Sequence, residues 1–107
     1  MNKLFVIIVT YNGEKWIEHC LSSVYESTIE AIPIVLDNGS TDSTISIIQN
    51  KFPETRLIQT GENLGFGKAN NLGIKEAMNK NAKYIYLLNQ DAWVEPDTFQ
   101  ILIKKHH

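Results

Sequence analysis

Leu4-Phe5-Val6-Ile7-Ile8-Val9, followed at once by Thr10-Tyr11-Asn12-Gly13, is the stretch on which the fold turns. A half-exposed strand alternates apolar and polar residues. An unbroken apolar run rich in β-branched residues suits a strand covered on both faces, as in a parallel sheet flanked by helices. Lys3 ahead of the run gives it a passing likeness to a signal peptide. The run is brief, however, no small-residue cleavage site follows, and Tyr11-Asn12-Gly13-Glu14 reads as a turn.

Outward from this strand the period changes. Trp16, Ile17, Cys20, Leu21 and Val24 recur at helical spacing, with Glu14, Lys15, Glu18 and Ser22 opposite, so a helix is expected from about Gly13 to about Ser27. Ile32 to Leu36 forms a second apolar run, with Pro33 near its start where a strand tolerates it. It ends at Asp37-Asn38-Gly39-Ser40-Thr41-Asp42, a turn in which Ser40 or Thr41 would cap the next helix and Asp42 would occupy its first turn. Ile45, Ile47, Ile48 and Phe52 form that helix's apolar side, and Pro53 ends it. Arg56 to Thr60 is a weaker strand, and Gly61 to Gly67 a loop. A helix carrying Ala69, Leu72, Gly73, Ala77 and Met78 on its apolar side follows, with Gly73 allowing close packing on the sheet. Tyr84 to Leu88 is a fourth strand, and Pro96 fits the first turn of a last helix bearing Phe99, Leu102 and Ile103. This alternation predicts an α/β fold, an open, mostly parallel Rossmann-like sheet with helices on both faces and right-handed crossovers.

The 107 residues suit one domain, expected over residues 1–105. The chain stops in or just after a helix, as expected of a truncated N-terminal piece of a longer enzyme, and His106-His107 reads as a tag remnant. A net charge of −2 offers no basic footprint for nucleic acid. The lone Cys20 makes neither an internal disulfide nor a zinc site, so it reads as structural, in a reducing, cytoplasmic compartment. No stretch approaches the roughly 20 apolar residues that span a bilayer.

In open parallel sheets ligands bind beyond the carboxyl ends of the strands, and four polar segments collect there. Thr10-Tyr11-Asn12-Gly13 reads either as a plain turn with Asn12 capping the first helix, or as a site where Tyr11 stacks on a base and Thr10 supplies a hydrogen bond. Asp37-Asn38 reads as turn chemistry or as an acid for ribose hydroxyls and base N–H groups. Gly65-Phe66-Gly67-Lys68-Ala69-Asn70 lets backbone approach a ligand, and a helix N-terminus favours anions. Its place after the third strand argues against a dehydrogenase, whose fingerprint follows the first. Asn89-Gln90-Asp91 reads either as a capping pair in a loop or as a site where one carboxylate binds Mg²⁺ or Mn²⁺ together with substrate phosphates. Trp93 reads as a core residue under that loop, and His19 as structural. A phospho-receiver would need an acidic pair after the first strand, and a sugar nucleotidyltransferase a glycine-rich, Arg-containing loop; the chain has neither.

As a set, Val6 to Asn12, Asp37 to Asp42, Glu62 to Gly73 and Leu87 to Asp91 resemble the family 2 glycosyltransferases of GT-A fold, across nearly the whole chain. Asp-Asn after the second strand and Asn-x-Asp after the fourth resemble bacterial rhamnosyltransferase-like enzymes of cell-surface polysaccharide synthesis. The resemblance implies that Thr10, Tyr11 and Asn12 line the nucleotide site, with Asp37 and Asn38 on base and ribose. It puts Lys68 and Asn70 near the diphosphate, counts Gly65, Asn89 and Gln90 among the donor-binding residues, and gives Asp91 the last acid of the Asp-x-Asp metal motif. It implies a nucleotide-diphosphate sugar as donor, a glycan or lipid-linked acceptor at the inner face of the membrane, and inverting transfer. Asn89 replaces the first acid, and an amide oxygen is a weaker, neutral metal ligand. The family's catalytic base lies past this chain's end, so the expectation is a donor-binding piece without efficient transfer; the alternative is a non-catalytic nucleotide-binding module or inactive fragment. A sheet with exposed edges also leaves room for a homo-oligomer.

Overall fold

The computed structural model describes residues 3–106, with the backbone alone at His106. His107 and the His106 side chain, and with them the expectation of a tag remnant, lie outside the described residues. Eight elements alternate as the pattern predicts: β1 (Leu4–Thr10), α1 (Ile17–Tyr25), β2 (Ala31–Asp37), α2 (Thr44–Lys51), β3 (Arg56–Gln59), α3 (Phe66–Asn79), β4 (Tyr84–Asn89) and α4 (Thr98–His106). The strands form one sheet in the order β3-β2-β1-β4, with every pairing parallel.

All seven residues of β1 are buried, because it has a strand on each edge and helices on each face. Its side chains alternate between two cores. Leu4, Val6 and Ile8 join Ile17, Cys20, Leu21 and Val24 of α1, Ile48 of α2 and Phe99 of α4. Phe5, Ile7 and Val9 join Ile34, Leu36 and the small residues Ala69 and Ala77 of α3. Right-handed crossovers account for the split. Moving from β1 to β2 to β3 lays α1 and α2 on one face, and the return past β1 to β4 lays α3 on the other. Pro33 costs β2 little, since β3 pairs with it only from Ile34 onward.

Several expected details shift. The α-helix of α1 starts at Ile17, after a turn in which the Trp16 and Ile17 amides donate to the Gly13 carbonyl, and Trp16 stays 43 % exposed. Neither Ser40 nor Thr41 caps α2; the Asp42 carboxylate accepts the Thr44 amide at 2.9 Å instead. Pro96 precedes α4, where its carbonyl accepts the Thr28 amide. Leu102 of α4 is exposed, as are Leu72 and Met78 of α3, whose buried stripe is Ala69, Asn70, Gly73 and Ala77.

The small stripe follows from how closely α3 rides on the sheet. A Cβ on Gly73 would stand 2.5 Å from Ile7 Cγ2 and 2.8 Å from Leu36 Cδ2. Overpacking of this kind costs about 1–3 kcal/mol, which outweighs the roughly 1 kcal/mol of helix propensity that alanine regains. Gly73→Ala is therefore expected to lower the thermal midpoint by several degrees, read by circular dichroism; an unchanged or raised midpoint would mean that α3 can lift off the sheet without loss.

Candidate functional site

The order β3-β2-β1-β4 makes the gap between β1 and β4 a switch point, because the connections leaving the two strands run in opposite directions. A cleft of about 330 Å³ opens there, lined by Val9, Tyr11, Asn38, Asn63, Phe66, Asn89, Gln90 and Asp91. A larger hollow of about 710 Å³ lies at the opposite edge, among residues such as Ala31 and Arg56 at the amino ends of β2 and β3. We place the site at the smaller one, since the polar groups converge there.

The candidate residues divide into a frame and a lining. Thr10 is fully buried, and its hydroxyl donates to Gln90 Oε1 at 2.6 Å. The same oxygen accepts the Tyr11 amide at 3.0 Å, while Gln90 Nε2 donates to the Tyr11 carbonyl. Gln90 thus clamps the end of β4 to the end of β1. Gly13 makes room for it, for a Cβ there would lie 2.2 Å from Gln90 Oε1. Cys20 adds a weaker tie, its Sγ 3.6 Å from the Asn89 carbonyl. Burial, with the Asp91 charge adding to it, pushes the Cys20 thiol up to about 12, which keeps it protonated and inert.

A second set of bonds joins the β1–α1 and β2–α2 loops. Asn12, held at φ 47°, accepts the Thr41 and Asp42 amides on Oδ1 at 2.8 and 3.3 Å, and its own amide donates to Ser40 Oγ. Its side chain therefore pins the entry to α2 and does not cap α1. The Gly13 amide donates to Thr44 Oγ1, and the Glu14 amide to Asp42 Oδ2. Asp37 is 1 % exposed; its carboxylate accepts the Gly39 and Ser40 amides and the Ser40 hydroxyl, which shapes the turn.

Asn38 is also buried, yet it lines the cleft and braces its far wall: it donates to the Gly65 carbonyl and accepts the Leu64 amide, each at 3.4 Å. Gly65, at φ 86°, precedes α3, whose first turn carries no acid. Lys68 is exposed on that turn and Asn70 is buried in the helix; neither lines the cleft. Asn63 and Phe66 do line it, although the sequence pattern assigns neither side chain a role. A large apolar residue between two glycines, 59 % exposed here, was the available signal for Phe66. Asp91 is the single carboxylate of the lining. Among the described residues no three His, Cys, Asp or Glu side chains converge as a ready-made metal site. Oxygen donors at Asp91 and Asn89 fit a hard cation that takes most of its shell from a ligand.

An open parallel sheet with a polar cleft at its switch point defines the class as a doubly wound α/β domain, and known proteins narrow it. The chain belongs to glycosyl transferase family 2, whose sequence signature matches residues 5–107. It is 33 % identical over 107 residues to the glycosyltransferase GlyA of Streptococcus pneumoniae, matching 97 % of this chain and 15 % of that protein. It is 39 % identical over 72 residues to the N-acetylglucosaminyl-diphospho-decaprenol L-rhamnosyltransferase of Mycobacterium tuberculosis, matching 66 % of this chain and 24 % of the relative. The crystal structure of Staphylococcus aureus TarS 1–349 in complex with UDP-GlcNAc superposes with a TM-score of 0.84 at 29 % identity, over 98 % of this chain and 32 % of that one. The mannosyltransferase PcManGT of Pyrobaculum calidifontis, in complex with GDP-Man and Mn²⁺, gives 0.84 at 27 % identity, over 95 % and 31 %. The fold is the GT-A fold of these transferases. The chain spans about a third or less of the length of each.

Two outcomes follow from the frame. Gln90→Ala leaves the buried Thr10 hydroxyl and the Tyr11 amide unpaired, and is expected to cost about 1–3 kcal/mol in denaturant unfolding; a loss under half a kilocalorie would show that water replaces the clamp. At Asp42 burial favours the neutral acid, but hydrogen bonds from the Thr44 hydroxyl and amide and the Glu14 amide outweigh it and hold the carboxyl below its ordinary 3.8. A depressed folded-state value stabilises above the unfolded value and loses that contribution as pH falls through the folded one. Thermal midpoints should drop below about pH 4 in the wild type, and Asp42→Asn should flatten that part of the curve; parallel curves would clear Asp42 of the effect.

Proposed function

We propose that the cleft between β1 and β4 binds the nucleotide diphosphate of a nucleotide-sugar donor. On this reading the protein serves inverting transfer of the sugar to a glycan or lipid-linked acceptor in cell-surface polysaccharide synthesis. The observation that carries the proposal is the composition of the cleft: two aromatic rings, Tyr11 and Phe66, buried Asn38, and a lone carboxylate, Asp91, beyond the strand ends. Tyr11 and Phe66 offer faces to a base, and Asn38 an amide to base or ribose. The Gly65 turn, Lys68 and the amino end of α3 favour the diphosphate. Thr10, Asn12 and Asp37 act from behind the lining by fixing its shape, Gln90 clamps it from its own place in the lining, and Asn70 lies near the diphosphate. A divalent Mg²⁺ or Mn²⁺ would be held by Asp91, the Asn89 amide oxygen and donor phosphate oxygens, and when bound supplies charge neutralisation for the departing nucleoside diphosphate. Solved relatives with UDP-GlcNAc and with GDP-Man and Mn²⁺ support this reading.

A second reading, a nucleotide-binding module without catalysis, draws on one observation. Asp91 is the only carboxylate in the cleft, and Asp37 is committed to its turn. No second acid in the lining stands ready to deprotonate an acceptor hydroxyl. The proposal for the 107-residue chain is accordingly donor binding without efficient transfer, on the cytoplasmic side of a membrane; no described helix is long and apolar enough to cross one. The outer edges of β3 and β4 leave room for a homo-oligomer.

Calorimetry with UDP, GDP and TDP, with and without Mn²⁺, tests the reading. At least one nucleotide should bind, and Asp91→Ala should weaken it about tenfold or more, a change of roughly 1.4 kcal/mol. Silence with all three nucleotides would sink the donor-site reading, and rapid sugar transfer by the chain alone would sink the claim of inefficiency.

A further inference from the structure

Two strands border the sheet, and they differ in how their outer edges are guarded. β3 is only four residues long, follows Pro53 closely and opens on Arg56, which is ion-paired with Glu76. Short length, proline and charge keep an edge from pairing with another chain. β4 has none of these guards. Tyr84-Ile85-Tyr86-Leu87-Leu88-Asn89 carries no charge and no proline, and among the described residues no strand covers its outer side. Leu87 is 50 % exposed. A hollow of about 150 Å³ adjoins the strand, every lining residue apolar or aromatic, Tyr84, Tyr86, Phe99 and Leu102 among them.

The backbone decides which groups this edge offers. The Tyr84 amide donates to the Lys3 carbonyl at 3.0 Å, on the β1 side. Amide and carbonyl directions alternate along a strand. Ile85 and Leu87 therefore turn both groups to the open side, and Asn89 its amide, since its carbonyl accepts the Ala92 amide.

We propose that the outer edge of β4 is an interface between two copies of this chain, their β4 strands pairing antiparallel about a two-fold axis at Leu87. The proposal does not depend on the donor reading of the cleft. What argues for a second copy is that the edge is complementary to itself. Hydrogen-bonded pairs form between residues whose backbone groups face each other, so Leu87 meets Leu87 and Ile85 meets Asn89 of the other copy. Counted on in the same register, Lys83 falls opposite Asp91 at both ends, and unlike charges flank an apolar centre. Parallel in-register pairing would set Lys83 beside Lys83. A slip of one residue would call on groups already turned to β1, and a slip of two would lose the match of Lys83 with Asp91. A two-fold contact of this kind closes on itself, so it yields pairs and not filaments.

Sedimentation velocity of the 107-residue chain, from low to high micromolar concentration, should show a reversible monomer–dimer equilibrium. Leu87→Lys sets two like charges on the axis and should weaken the dimer by about tenfold or more. Its circular dichroism should be unchanged, because Leu87 lies half outside the core. Lys83→Glu sets a second acid against Asp91 and should weaken the dimer about fivefold, and adding Asp91→Lys should restore it. Leu87→Cys should cross-link to its counterpart through a short bis-maleimide, a readout that stands even where Leu87→Lys fails to fold. The unsubstituted chain should not cross-link, because Cys20 is buried. A monomer at every concentration overturns the proposal. A dimer untouched by Leu87→Lys and not cross-linked at Leu87→Cys overturns it too, as does a charge swap that fails to repair Lys83→Glu. Assemblies that keep growing past the dimer refute the two-fold pairing.

Discussion

Complete burial of β1 is the constraint from which the architecture follows. A strand with all seven residues out of water needs a partner strand on each edge and apolar side chains over each face. β2 and β4 supply the edges; α1, α2 and α4 cover one face and α3 the other. Each fully buried Val, Leu or Ile is worth about 1.5–3 kcal/mol, so exposing the three apolar side chains on either face of β1 would cost an amount comparable to the whole stability of a domain. The carboxyl end of β1 is thereby fixed in the middle of the sheet edge, where the chain departs in opposite directions and leaves a gap.

Polar chemistry at that edge works in two layers. Thr10, Asn12, Asp37, Asp42, Thr44 and Gln90 direct their side chains largely at one another and at loop backbone. Each such bond is worth only about 1 kcal/mol net, but a buried donor left unpaired costs more, so the layer holds together as a set. In front of it stand Tyr11, Asn38, Asn63, Phe66, Asn89 and Asp91, which line the cleft. A donor site benefits from that arrangement, since a lining already in place has less to order when a ligand arrives.

Membership of glycosyl transferase family 2 and the GT-A fold agree with this geometry, and the lining explains why a single carboxylate is compatible with both. On the proposed reading a diphosphate would bring most of the oxygen ligands a divalent ion needs, and the protein would have to supply few. Asp91 lines both the cleft and a smaller hollow walled by Lys15, Trp16, His19, Ala92 and Trp93.

The order of elements, the parallel sheet and the edge at which the polar segments collect were legible in the sequence. Each rests on local patterns: an apolar run with no alternation, helical spacing, and turn residues that close each strand. The cleft residues Tyr11, Asn38, Asn89, Gln90 and Asp91 were legible for the same reason, because they follow directly on strand ends. Tertiary structure alone decided the strand order, and with it which loops meet. It also decided that Leu72, Trp16 and Trp93 face outward, that Asn12 pins α2, and that Gln90 clamps Thr10 across 80 residues of sequence. Periodicity reports which side of an element is apolar, but not what stands opposite it. Whether a polar group faces a ligand or another loop is fixed by partners distant along the chain.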